Sequence, residues 1–192
     1  MTRLVAGILI FFGIHSVSML ALGWRNRMAE RFGSGAWQGI YSVVSAVGLY
    51  LIISGYGAAR HVAEVLYVPP TWLRYVAALL MLPTFTLALS SVLPGRIQAR
   101  VKHPLLAATK LWAVAHLLTN GSVADLLLFG SFLLWAIGVR ISLKHRPARP
   151  PKALPASRAN DAIALVGGLA LYALFILWLH AKWIGVSPLP MV

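Results

Sequence analysis

Four ionisable side chains interrupt stretches of this chain that are otherwise apolar. They are His15 in "FFGIHSVSM", Lys110 and His116 in "KLWAVAHLLTNG", and the more peripheral His180 in "ILWLHAKW". An ionisable group at bilayer depth costs free energy and faces protein or a cavity, so it reads as a functional site by default. Imidazole adds two capacities: it changes charge near neutral pH, and it is the commonest metal ligand. His61, His103 and His145 fall at loops or span ends, where a histidine requires no such account.

Depth singles out two of the four. His15 lies roughly 17 Å into the first apolar span, and His116 roughly 18 Å along the helix that opens at Pro104, at about 1.5 Å per residue. In a hydrocarbon core of about 30 Å both are close to the midplane. Two imidazoles at matched depth on different helices are the arrangement that grips a haem iron from both faces, and bundle cores supply such sites. Around His15, Gly13 offers close approach, and Ser16 or Ser18 a partner for the second ring nitrogen. Around His116, Ala113 leaves room one turn earlier, and Trp112 is placed to wall a flat macrocycle. The competing reading is that these histidines merely bond one helix to another, contacts worth on average about 0.6 kcal/mol in membranes.

Other chemistries fit less well. The chain has no cysteine, which removes disulfides, thiolate metal sites and thiol nucleophiles. No HExxH motif is present and no carboxylate accompanies either histidine, so zinc hydrolysis lacks its parts. A proton relay wants acids at depth, whereas Glu30, Glu64, Asp125 and Asp161 all map to loops or helix starts. Ser122 with Asp125 is a capping box opening a helix. Lys110 is six residues before His116, about 120° away around the helix. It snorkels to the cytoplasmic interface or, alternatively, meets a haem propionate.

The elements that position these groups are membrane helices. Of 192 residues, 59% are hydrophobic and 11% charged, against about 25% charged in a soluble domain, so lipid is the expected solvent. Six apolar spans are expected at about 4–22, 38–57, 72–93, 104–119, 122–141 and 161–183, each near the roughly 20 residues that cross a bilayer. Gly33-Ser34-Gly35, Pro69-Pro70, Pro94-Gly95, Asn120-Gly121 and "RPARPPKALPASR" separate them. Pro83 should kink the third span. The fold class expected is all-α: a polytopic integral membrane helix bundle of six transmembrane helices in a single domain, 1–192. A basic cytoplasmic linker occupies 142–160, where its charges could attract anionic headgroups.

Charge sets the orientation. Arg25, Arg27, Arg31, Arg96, Arg100, Lys102, Arg140, Lys144, Arg146, Arg149, Lys152 and Arg158 fall on one side; Arg3, Arg60, Arg74 and Lys182 fall on the other. By the positive-inside rule the first side is cytoplasmic and both termini lie opposite. The net charge of +13 is therefore a topology signal, with membrane lipid rather than nucleic acid as the partner. Trp24, Trp37, Trp72 and Trp183 sit at span ends as interfacial anchors. The first span has its arginines after it, the reverse of a secretory signal, and reads as an uncleaved helix.

Several stretches together resemble a known family: "GIHS" (13–16), "YSVVSAVGLYLIISGYG" (41–57), "WLRY" (72–75), "MLPTF" (81–85), "LPG" (93–95), "KHPLLAATKLWAVAHLLTNG" (102–121) and "LLLFGSFLLWAI" (126–137). The chain resembles the NnrU family over roughly residues 1–145. That resemblance implies a multi-pass protein of the bacterial inner membrane, with periplasmic termini, associated with denitrification and with nitric oxide and nitrite metabolism. The family is similar to the plant 15-cis-zeta-carotene isomerase, a membrane haem b enzyme with one histidine in an early helix and another in a "WCLAH"-type motif. The resemblance implies haem b as cofactor, His15 and His116 as ligands to its iron, and a redox partner or a nitric oxide or nitrite reductase system as partner. The isomerase's motif cysteine is Ala113 here, which removes a thiolate ligand-exchange route to carotenoid isomerisation.

Two other classes of function compete. A cofactor-free accessory or assembly subunit needs only close helix packing, for which Ser42, Ser45, Gly48, Gly167 and Gly168 provide small residues. "KHP" also resembles the "RHP" of membrane methyltransferases, but their later double-glutamate motif has no counterpart, Asp161 being the sole acid after residue 125. His103-Pro104 is then simply a helix start.

Overall fold

Apolar segments without water must satisfy every backbone N–H and C=O internally, and the helix is the element that does so within one segment. The computed structural model describes residues 1–145 and 154–189, and the helices follow this logic. They are α1 (Thr2–Leu20), α2 (Leu22–Phe32), α3 (Ser34–Ala59), α4 (Leu73–Met81), α5 (Thr84–Ser90), α6 (Arg96–Val101), α7 (Pro104–Leu117), α8 (Val123–Ser142), α9 (Asn160–Leu174) and α10 (His180–Ile184). A π-helical turn, Phe175–Leu179, joins α9 to α10.

Among the described residues, five helical stretches are long and apolar enough to cross a membrane: α1, α3, Leu73–Ser90, α8 and Asn160–Ile184. Their outward faces are apolar, with Leu9, Leu134 and Leu177 all exposed. The fourth expected span is a shorter element. At 14 residues, α7 is about 21 Å long, less than the hydrocarbon core. Most of the "RPARPPKALPASR" linker lies outside the described residues.

Contacts along the chain gather the helices into two units. The first comprises Met1–Tyr67 and Ser122–Lys144; the second comprises Val68–Gly121 and His145–Val192.

In the first unit, α1 and α3 meet backbone to backbone at glycines. A methyl group on Gly48 would stand 2.8 Å from the Phe11 nitrogen, and one on Gly7 would stand 2.6 Å from the Ile52 nitrogen. Gly55 approaches the Leu4 backbone as closely, and Leu4 is fully buried there. α8 opens with the expected capping box. The Ser122 N–H and hydroxyl donate to Asp125 Oδ2 at 2.9 and 2.6 Å, and the Asp125 N–H donates back to the Ser122 hydroxyl. Asp125 has a second role: the Tyr56 hydroxyl donates to its Oδ1 at 2.7 Å, tying α3 to the head of α8. The Val123 N–H donates to the Glu64 carbonyl at 2.9 Å beside an isolated Val65–Ser122 bridge, so the loop after α3 is fixed to the same point.

In the second unit, the kink at Pro83 is present as a break between α4 and α5. Proline has no N–H to donate and the ladder opens there. The Tyr172 hydroxyl of α9 donates to the Ala78 carbonyl at 3.0 Å beside the break. α9 packs on α5 where Gly168 meets the Thr86 backbone, a methyl there lying 2.5 Å from the Thr86 nitrogen. Asp161, in the first turn of α9, accepts from the Arg96 and Ile97 N–H groups at 2.8 and 3.1 Å and so caps α6 from a distance in sequence.

Some local expectations are corrected. The segment after α1 holds α2 rather than a bare loop, because a charged amphipathic helix carries no hydropathy signal. Ser34 and Gly35 belong to α3, so Gly33, at φ 85°, makes the turn alone. Trp37 is buried with its ring edge-on to Trp24 at 5.7 Å, whereas Trp24, Trp72 and Trp183 are exposed as anchors should be. His103 occupies the N-cap position of α7 with Pro104 in the first turn, as expected of a helix start.

Candidate functional site

His15 projects from the fourth turn of α1 in the first unit. Its Nδ1–H donates to the Phe11 carbonyl at 2.7 Å, one turn back along the same helix. A carbonyl oxygen only accepts, so this contact puts the proton on Nδ1 and leaves the lone pair of the neutral ring on Nε2. The ring lies on that of Phe11, with centroids 4.0 Å apart and planes at 26°. Tyr41 of α3 and Trp135 of α8 stand at 5.1 and 5.8 Å, Trp135 edge-on. The Trp135 indole nitrogen is buried without an acceptor. The expected neighbours differ in two respects. The Nδ1 partner is the backbone rather than Ser16 or Ser18, and Gly13 faces open space, with nothing within 4 Å of where a methyl would stand.

His116 projects from the last turn of α7 in the second unit. Its Nδ1–H donates to the Trp112 carbonyl at 2.8 Å, the same i−4 lock as at His15. The Trp112 ring lies 5.2 Å away at 49°. Ala113 is not the expected gap. It is fully buried, as is Ala115, so its side of α7 is packed against neighbouring helices. Lys110 is half-buried lower on the same helix. The Asn120 amide donates to the His116 carbonyl at 2.9 Å and closes the helix end.

The structure adds a residue that spacing had placed at the periphery. His180 stands with its ring centroid 6.4 Å from that of His116, the planes inclined by 27°. Phe175, edge-on to His180 at 6.3 Å and 5.5 Å from Phe85, lines the same region. No periodicity in the sequence reveals the π turn before His180, so its azimuth could not be read from a 3.6-residue repeat. Trp135 and Tyr41 beside His15 were equally hidden, because an aromatic in an apolar helix carries no sign of what it faces.

Against this geometry, a family model described as NnrU protein matches residues 3–188. The chain belongs to the NnrU family. No curated protein and no solved structure matches it. The matched range takes in all the NnrU-like motifs, both locked histidines, and also the π turn and His180, which lie beyond the stretch that carried the resemblance.

Proposed function

We propose that this NnrU-family protein is a haem b protein of the bacterial inner membrane serving nitric oxide and nitrite metabolism, with His15 and His116 as the iron ligands. The observation that carries the reading is the lock on each ring. Each histidine donates Nδ1–H to the carbonyl one turn earlier, which selects the tautomer whose Nε2 can bind iron and holds the ring's orientation.

The residues present fit such a group. Phe11, Tyr41 and Trp135 around His15, and Trp112 beside His116, are flat and apolar. The buried Trp135 N–H is a donor lacking an acceptor, which a propionate or another polar edge of the cofactor would supply. Among the described residues no three His, Cys, Asp or Glu side chains gather into a metal cluster.

When bound, haem supplies one-electron chemistry whose potential is set by its axial ligands and the local dielectric. The chain's part is to supply the two imidazoles, hold their rings and exclude water with aromatic walls. Held by His15 and His116 together, the group would supply electron transfer rather than bind a further ligand. Lys110 snorkels to the cytoplasmic side or neutralises a propionate. The six-span topology with both termini periplasmic belongs to the same proposal and rests on the distribution of arginine and lysine.

The test is haem content and spectrum of the purified protein, with His15→Ala and His116→Ala alongside. A folded, colourless protein after haem supply would leave the cofactor-free accessory role as the function.

A further inference from the structure

α2 takes no part in the long spans or in the proposed haem site, yet its position is closely defined. α1 and α3 run antiparallel, since Leu4 meets Gly55, Gly7 meets Ile52 and Phe11 meets Gly48. The end of α1 and the start of α3 therefore share one face of the membrane, and α2 joins them there. It is a separate element: non-helical Ala21 (φ −140°, ψ 49°) divides it from α1, and Gly33 (φ 85°, ψ 148°) divides it from α3. At 19 residues α1 is about 28 Å long, so the hydrocarbon core is essentially crossed when α2 begins.

The side chains of α2 are sorted around its axis. Leu22, Met28 and Ala29 are half-buried on the side packed against α1 and α3. Arg25 is half-buried with them, its guanidinium 5.9 Å from the centroid of the Trp37 ring. Elsewhere on the helix, aromatic and basic residues are exposed side by side: Trp24 and Phe32 with Arg27 and Arg31. At about 100° per residue, Arg31 is about 20° from Trp24 around the helix and about 40° from Arg27. Among the described residues neither of these two guanidinium groups pairs with a carboxylate, although Glu30 is on the same helix.

Such a face suits neither bulk water nor acyl chains. Water gains nothing from an exposed indole and phenyl ring, and hydrocarbon does not readily admit two guanidinium ions. The zone between them takes both: an indole settles at headgroup level, and the planar fork of an arginine grips two phosphate oxygens at once. A helix sorted in this way lies in the plane of the interface. Three arginines against one glutamate leave α2 with a net charge of +2, which favours a headgroup of net negative charge.

We propose that α2 is an interfacial helix that binds anionic phospholipid, with Arg27 and Arg31 on the headgroup phosphate and Trp24 and Phe32 at the top of the acyl chains. This goes beyond the haem reading and does not depend on it.

The experiment places the full-length protein in nanodiscs of phosphatidylcholine doped with a minor fraction of either brominated phosphatidylglycerol or brominated phosphatidylcholine. Bromine near the headgroup end of the chain quenches the fluorescence of a tryptophan it touches. Each protein is measured with and without Trp24→Phe, and the difference isolates Trp24. In the wild type, brominated phosphatidylglycerol should quench Trp24 more strongly than brominated phosphatidylcholine, and raised salt should narrow the gap. Each arginine near an anionic surface contributes about a five-fold preference, so Arg27→Gln/Arg31→Gln should bring the two quenching curves together. Arginines that only fix topology would give no lipid preference at Trp24. Equal quenching by the two lipids in the wild type, a gap that survives in the double variant, or a Trp24 that neither lipid quenches overturns the proposal. Each comparison sets one protein in two lipid mixtures, so haem content cancels and a haem-free protein gives the same reading.

Discussion

The His116 Nδ1–H donates to the carbonyl of Trp112 at 2.8 Å, and this main-chain contact, not the indole, fixes the imidazole's tautomer. The ring and the wall beside it are therefore separable. Trp112→Phe keeps the carbonyl and a flat apolar face, so it should retain haem near the wild-type stoichiometry, with a small shift of the Soret band. Loss of haem from a folded Trp112→Phe protein would show that the indole itself binds the cofactor.

The contact of Gly48 with the Phe11 backbone makes a second prediction. Because the neighbour is main chain, α1 and α3 must separate to admit even a methyl, and overpacking of this kind costs about 1–3 kcal/mol. Gly48→Ala should lower the thermal midpoint in detergent. Gly13→Ala, facing open space, should leave it unchanged or raise it slightly. Equal midpoints for the two variants would remove the α1–α3 contact from the account of stability.

Tyr56 and Asp125 join α3 to the head of α8. Removing the donor with Tyr56→Phe leaves a buried carboxylate short of one bond, at a cost of about 1.5–3 kcal/mol for a hydrogen bond to a charged group. Asp125→Ala should cost more, because the capping box goes as well. A double-mutant cycle, measured by reversible unfolding in mixed micelles, should give a clear coupling energy. Strict additivity would mean that the two residues do not interact in the folded protein.

Much of this was legible before any coordinates. Hydropathy located the five long membrane helices to within a few residues at their ends; Pro83 announced a break, and Ser122 with Asp125 announced a cap. Those features are local, and each follows from a residue's own covalent chemistry. What escaped depends on partners distant in sequence or on helix phase. The second role of Asp125 needs Tyr56, 69 positions away. The cap on α6 comes from Asp161, 64 and 65 positions beyond the N–H groups it accepts from. His180 needs a π turn that no 3.6-residue pattern encodes. Ala113 shows the converse error, since a small side chain reads equally as an opening or as a packing contact, and burial reveals the second.

The central claim is that His15 and His116 hold haem b. Its most direct test is the reduced-minus-oxidised absorption spectrum of the protein purified after haem supply, recorded beside His15→Ala and His116→Ala. The account predicts a b-type spectrum in the wild type, loss of haem in His116→Ala, and an altered iron environment in His15→Ala. A folded wild type without a Soret band, or variants whose spectra match it, would contradict the claim and return both histidines to helix packing.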